Sequence, residues 1–294
     1  MENGLLDYLI IACYLIAIAL IGIFSGGKQK SVKDYFLGAK EIPWWAVCFS
    51  IIAAETSALT FISIPGLAYL TNLNFIQVAF GFLIGRIIVA MLFLPAYFKG
   101  ELETAYKYLE TRFGKTTRSF ASVVFLVTRL AADGVRLFAT SIPLYLMLQI
   151  NPLAAIVLVA LISLIYTYTG GIKAVIWVDA LQMFIYIGGA ITAGIFLFNL
   201  LPEGWDSVLK SAATDSKASF INTGFSLSFS EFLNQPYTLF AGIIGGAFLS
   251  MASHGTDQLI VQRLLATKNL KKAKKAVIGS GIIIVFQFAF FLIL

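Results

Sequence analysis

Eight long apolar runs, at 5–24, 44–70, 75–98, 119–149, 153–170, 175–200, 238–263 and 275–294, take up about two-thirds of the 294-residue chain. Crossing ~30 Å of hydrocarbon at ~1.5 Å per residue takes about 20 residues, so runs of this size are candidates to span a bilayer. Lipid offers no partner to a bare backbone N–H or C=O, which makes helices the expected form of all eight. The short-period alternation of a membrane barrel is absent. Charged residues make up only 12% of the chain, against about 25% in soluble domains, too few to solvate a surface. A soluble enzyme is thereby excluded. The first run lacks a basic leader and a small-residue cleavage site, so it reads as a retained helix.

Lysine and arginine set the expected orientation. Sixteen of them fall in the stretches 25–43, 99–118, 171–174 and 263–275, two (Lys210 and Lys217) in the alternate loops, and three inside the runs. This bias places the N-terminus outside and the basic loops in the cytoplasm of a multi-pass plasma-membrane protein. The net charge of +6 is therefore a topology signal rather than a nucleic-acid footprint. Residues 101–113 mix charge with Tyr106, Tyr108 and Leu109 at helical spacing and read as an interfacial helix. The polar stretch 201–237 reads as an external cover. The last run reaches Leu294 without a polar flank, the expected look of a shortened product.

Catalytic and metal motifs are scarce. A single histidine, His254, excludes multi-histidine metal sites, and Cys13 and Cys48 both lie in apolar runs, so no disulfide framework is expected. Gly114-Lys115-Thr116 resembles the end of a phosphate loop, but Leu109 stands where its first glycine belongs. With no nucleotide-binding element, an ATP-driven pump is not expected, any work is expected to come from a gradient, and the chain is not read as an enzyme.

The informative residues are polar ones where lipid forbids them. Glu55, Arg86, Arg129, Asp133, Arg136, Asp179 and Asp257 sit inside the runs, at a cost of about 2.5–3.5 kcal/mol each if left facing lipid. They must face protein or water. In the second run Glu55, Thr56, Ser57, Thr60 and Ser63 are followed by Pro65-Gly66. Proline removes a donor and glycine loosens the backbone, so unwound backbone with free carbonyl oxygens is expected there, a ligand set for a hard cation. The seventh run carries a comparable break, Gly245-Gly246 followed by Ser250, Ser253, His254, Gly255, Thr256, Asp257 and Gln258. Two interrupted helices five apart point to a transporter site. Arg129 and Asp133, four apart on one helix face, are expected to pair as an ion pair or gate. Gly81 and Gly85 read as a helix-packing motif.

Three segments carry a family likeness: YTYTGGIKAVIWVDALQ (166–182), TDQLIVQR (256–263) and AAETSALTFISIPG (53–66). Together with TRLAAD (128–133) they resemble the sodium:solute symporter family, nearest its sodium/glucose cotransporter branch. The resemblance implies an all-α integral membrane fold with two inverted five-helix repeats preceded by an extra helix. On that template 1–43 holds the extra helix and a loop, 44–200 the first repeat, 201–237 an external loop and 238–294 the first two helices of the second repeat. It also implies a sodium site using the carbonyls of Ala53 and Thr56, with further ligands on a helix that this sequence does not include, and Asp179 close to the sodium path. Ser57, Thr60 and Asp257 match solute-contacting positions, with Gln77 and His254 nearby. Ala252, Ser253 and His254 replace the aromatics that sugar carriers of this branch place before the D-Q pair, which weakens the case for glucose itself.

The expectation is sodium-coupled symport of a small polar organic solute, a sugar or polyol, by a lipid-embedded monomer with Na+ as coupling ion and no nucleic-acid partner. A carboxylate or amino-acid symporter is the alternative in the same class, with Arg129 or Arg136 holding the acid. A passive channel or a membrane sensor is the alternative outside it.

Overall fold

The computed structural model describes residues 4–27, 29, 31–99, 104–201, 210 and 217–294. Lys28, Lys30, the start of the expected interfacial helix at 101–103 and most of 201–216, with Pro202, Gly204 and Trp205, lie outside the described residues. The described chain is almost entirely helical, with one isolated parallel bridge between Ile42 and Thr267.

Twelve helices are named here in chain order. They are α1 (Leu5–Gly26), α2 (Val32–Leu37), α3 (Trp44–Glu55), α4 (Ala58–Leu70) and α5 (Ile76–Lys99, with a π turn at Val89–Phe93). Next come α6 (Ala105–Phe113), α7 (Lys115–Leu148), α8 (Pro152–Leu200) and α9 (Phe229–Asn234). After a π turn at Ala241–Gly245 the chain forms α10 (Gly246–Gly255), α11 (Gln258–Leu265) and α12 (Leu270–Ile293). Their starts are written locally. Thr104, Asn151, Asp257 and Asn269 each accept a hydrogen bond from a backbone N–H two or three residues on, satisfying donors that a helix start leaves free. Pro152 follows Asn151 at the first helical position, where its missing N–H costs nothing.

Every one of the eight apolar runs is mostly helical, but they do not correspond to eight uniform rods. By length and composition, four described helices can cross a membrane: α1, α5, α8 and α12. A fifth is counted if α3 and α4, bent by 67° across their break, are one span. The difference has three causes. The runs 153–170 and 175–200 join into the 49-residue α8, interrupted at Gly171, whose φ of 58° is not helical. Helix α7 carries Arg129, Asp133 and Arg136 mid-length, which lowers its apolar score. The seventh run divides into the π turn, α10 and α11.

The core lies where α3, α5 and α12 meet, around Val47, Ile51, Ile52, Ala79, Val89, Ile284 and Phe291, all at most 2% exposed. Apolar side chains gain little by leaving lipid for protein, so helix contacts in such a chain depend on close packing of small residues. The pair Gly81 and Gly85 shows this: a Cβ on Gly81 would lie 2.6 Å from the Gly242 carbonyl oxygen, and one on Gly85 2.4 Å from that of Ala247. Both positions admit only glycine while α5 holds its place against the 241–255 segment. Large apolar side chains on α7 and α8, such as Phe120, Leu130, Leu164 and Phe196, are more than half exposed.

Candidate functional site

Helix α3 ends at Glu55 and α4 begins at Ala58, with Thr56 and Ser57 extended between them. The break is not where proline and glycine would put it. Pro65 and Gly66 lie inside α4, and the chain unwinds nine residues before Pro65. The cause is a helix-start signal. Ser57 Oγ accepts from Thr60 N–H at 3.4 Å while Thr60 Oγ1 accepts from Ser57 N–H at 3.3 Å, a reciprocal capping box that restarts the helix in a new direction. The last carbonyls of α3 then have no helical donor to receive. Around them opens a cavity of about 690 Å³, lined among others by Ala53, Ala54, Thr56, Ser57, Arg136, Thr140, Gln182 and Tyr186. That volume suits a small organic molecule.

Two features adjoin this break. Arg136 of α7 donates from Nη1 to the Ala54 carbonyl at 3.2 Å. From α12, Gln287 donates from Nε2 to Thr56 Oγ1 at 3.1 Å, while its own Oε1 is buried with no partner among the described residues. An unpartnered buried acceptor on a residue that holds the break suits a cation or a ligand donor. Gln287 carries a signal in the sequence, as a single amide within the apolar tail IIIVFQFAFFLIL, but nothing there ties it to Thr56, 231 residues earlier.

The second break falls at Thr256–Asp257, after Gly255; Gly245-Gly246 stays within the π turn and α10. Asp257 caps α11 through Oδ1 (Leu259 N–H, 2.8 Å) and accepts from Arg129 Nη1 through Oδ2 at 3.1 Å. Arg129 also donates from Nε to Asp133 at 2.9 Å, so one guanidinium joins two carboxylates.

The remaining polar residues form three buried knots. Glu55 pairs with Arg86, which is fully buried and donates onward to Ser280 Oγ at 2.8 Å. The His254 ring meets the same Glu55 oxygen at 3.3 Å and Ser253 Oγ at 2.8 Å. At 2% exposure, His254 ties α10 to α3 and does not line the cavity. Asp179 accepts from Ser50 Oγ at 2.6 Å and from Arg263 Nη2 at 2.9 Å. Arg263, counted among the loop charges on sequence alone, is 8% exposed and lies in α11. Gln77, 1% exposed, donates to the Tyr237 and Asn74 carbonyls and accepts from Asn222 N–H. It fastens the 217–240 segment to α5.

Of the residues singled out on sequence, Ala53, Thr56, Ser57 and Arg136 line the cavity. Thr60 stands one turn behind in the capping box, and Asp257 with Arg129 and Asp133 forms a separate charged group. Among the described residues no three His, Cys, Asp or Glu side chains converge as a metal centre. A cation at the first break would be held by carbonyl, hydroxyl and amide oxygens.

Known proteins share this architecture. The chain is 30% identical over 292 residues to the sodium/sialic acid symporter SiaT of Proteus mirabilis (strain HI4320), covering 98% of this chain and 58% of the relative. It is 30% identical over 287 residues to the sodium/glucose cotransporter of Vibrio parahaemolyticus, covering 94% of this chain and 52% of that protein. A solved structure of a Na+-coupled sialic acid symporter, substrate-bound and outward-open, superposes with a TM-score of 0.87 at 29% identity, over 99% of this chain and 61% of that one. The chain thus spans little more than half the length of the curated relatives named here. The family model for sodium:solute symporters matches residues 35–294, which include both helix breaks, all three buried knots and the cavity lining other than Tyr14. The chain belongs to the sodium:solute symporter family.

Proposed function

We propose that this chain serves sodium-coupled symport of a small polar organic solute, a sugar or polyol, by alternating access. The observation that carries the reading is the break at Thr56–Ser57, where carbonyls without helical donors line a cavity and Gln287, whose amide oxygen is unpartnered, holds Thr56, in a fold shared with a Na+-coupled symporter. Sodium is the coupling ion, held in part by the Ala53 and Thr56 carbonyls. Ser57 and Thr60 orient the solute, and Asp257 joins them when the two breaks approach. Asp179 contributes to the ion path once Arg263 and Ser50 release its carboxylate. In this reading eight helical spans cross the plasma membrane with the N-terminus outside, residues 44–200 form the first repeat, and 238–294 open the second.

The energetics suffice. One sodium ion moving inward gains ~2.3 kcal/mol per 100 mV, and ~1.4 kcal/mol is a factor of ten in concentration. The test is uptake of labelled sugars into proteoliposomes under an inward sodium gradient. Uptake that is unchanged when choline replaces sodium would end the reading.

A second reading, an acidic solute, is supported by Arg136 on the cavity wall beside Thr140 and by the sialic acid carriers among the relatives. Competition by a sugar acid against its neutral parent sugar separates the two.

A further inference from the structure

The contact between Arg136 and the first break is itself informative. Its guanidinium donates to Ala54 O across 82 residues of sequence, and among the described residues no carboxylate pairs with it. That carbonyl stands between Ala53 and Thr56, the two positions assigned above to sodium. Arginine stays protonated at any working pH, so its charge at this spot is permanent. A sodium ion on the neighbouring carbonyls and a guanidinium on Ala54 would be two unit charges a few ångströms apart at an exposed contact. Water screens part of their repulsion, and on the order of 1 kcal/mol remains at such a separation even in bulk water.

We propose that Arg136 is a tethered cation that competes with sodium for the first helix break. The inference rests on the reading that this break is the sodium site. It makes Arg136 a positioning residue, which acts on the ion through the carbonyl geometry of the break. The same helix face carries Arg129 seven residues earlier, about 10 Å along the axis at ~1.5 Å per residue, and Arg129 grips Asp257 at the other break. Helix α7 therefore has an arginine on each discontinuity, and displacing one shifts the element that holds the other. Linkage is reciprocal: what sodium does to Arg136, removal of Arg136 does to sodium.

The experiment uses the whole chain in detergent, with sodium chloride as probe against potassium chloride at equal ionic strength. Sodium binding is followed by calorimetry and intrinsic fluorescence. Arg136→Gln is expected to tighten sodium binding on the order of ten-fold, and Arg136→Lys, which keeps the charge, to stay near the parent. A readout independent of any variant's folding is the rate at which phenylglyoxal modifies Arg136 in the parent protein, mapped by peptide mass spectrometry. Sodium should speed that modification several-fold while leaving Arg263, buried with Asp179, unchanged. Sodium binding that is unaltered or weaker in Arg136→Gln, or Arg136 reactivity that sodium leaves unchanged or lowers, overturns the inference alone. No sodium binding in the parent overturns the transport reading and the inference with it.

Discussion

The two helix breaks are built from opposite materials. The first, at Thr56–Ser57, is shaped by neutral groups, namely a serine–threonine capping box and the Gln287 amide, with one arginine on its backbone. It opens on a cavity. The second, at Thr256–Asp257, is clamped from several sides. Asp257 is held by Arg129, the Gly255 carbonyl accepts from Tyr97 Oη at 2.6 Å, and Gln258 accepts from Ala105 N–H at 3.0 Å. At the first break the Gln287 Oε1 has no partner among the described residues and remains available to a ligand. The polar atoms at the second are already spent on protein, so a solute can use them only if the clamps open. Under the proposed reading, the first break would take the ion and the second would control conformation.

The largest expected effect comes from the knot that joins them. Glu55 ends the helix before the first break, and His254 and Arg86 hold it to α10 and α5. Glu55→Gln leaves the fully buried Arg86 charge without its partner and is expected to destabilise the protein by about 3–5 kcal/mol. Glu55→Leu combined with Arg86→Met removes both charges and should cost less than either single change. Thermal unfolding in detergent measures the cycle. If Glu55→Gln leaves the midpoint in place, the breaks are not joined through this pair.

An intermediate effect separates the two breaks themselves. Asp257→Ala removes both a cap and the Arg129 contact, an expected loss of about 2 kcal/mol, whereas Ser57→Ala removes only a cap, about 1 kcal/mol. Asp257→Asn, which keeps the capping oxygen, should fall between them. Equal losses for Ser57→Ala and Asp257→Ala would show that the second break owes nothing to its charged clamp.

The smallest effect concerns helix α6, whose N-terminus Gln258 caps. Glu110 near its other end accepts from Lys107 and Arg118, and these hydrogen bonds hold its carboxyl below the ordinary value of 4.5. A lowered folded value means that the brace is fully present above 4.5 and is lost as the pH falls through the folded value. Its partners Lys107 and Arg118 are exposed, so the contribution is small and salt-sensitive. The gap in unfolding midpoint between the parent and Glu110→Gln should therefore narrow as the pH falls below 4.5. A gap that persists at the lower pH would assign the difference to packing instead.

Much of the architecture is legible in the sequence because its signals are local. Apolar runs, capping residues and the four-residue spacing of Arg129 and Asp133 can be read within a turn or two of chain. The position of the first break is not, because Pro65-Gly66 is a strong breaker by composition, while the capping box of Ser57 and Thr60 is a quieter signal that acts upstream of it. Arg263 reads as a loop charge because it sits where an apolar run meets a basic stretch. Only its burial beside Asp179, 84 residues away in sequence, reveals its role. The family resemblance implies Gln77 and His254 near the solute; in the structure Gln77 bonds the 217–240 segment and His254 bonds Glu55.

The sequence by itself determined that the chain is helical, that its helices suit lipid, and which side chains must avoid it. A 3.6-residue period and the cost of an unpaired charge act residue by residue. Tertiary structure alone decided the partnerships: Glu55 with Arg86, Asp179 with Arg263, Asp257 with Arg129, and Gln287 with Thr56. Several acids and bases are available to each other along the chain, and no local rule ranks them. The choice follows from which helices pack together, because in a medium of low dielectric a charge settles on whichever opposite charge the packing brings within reach.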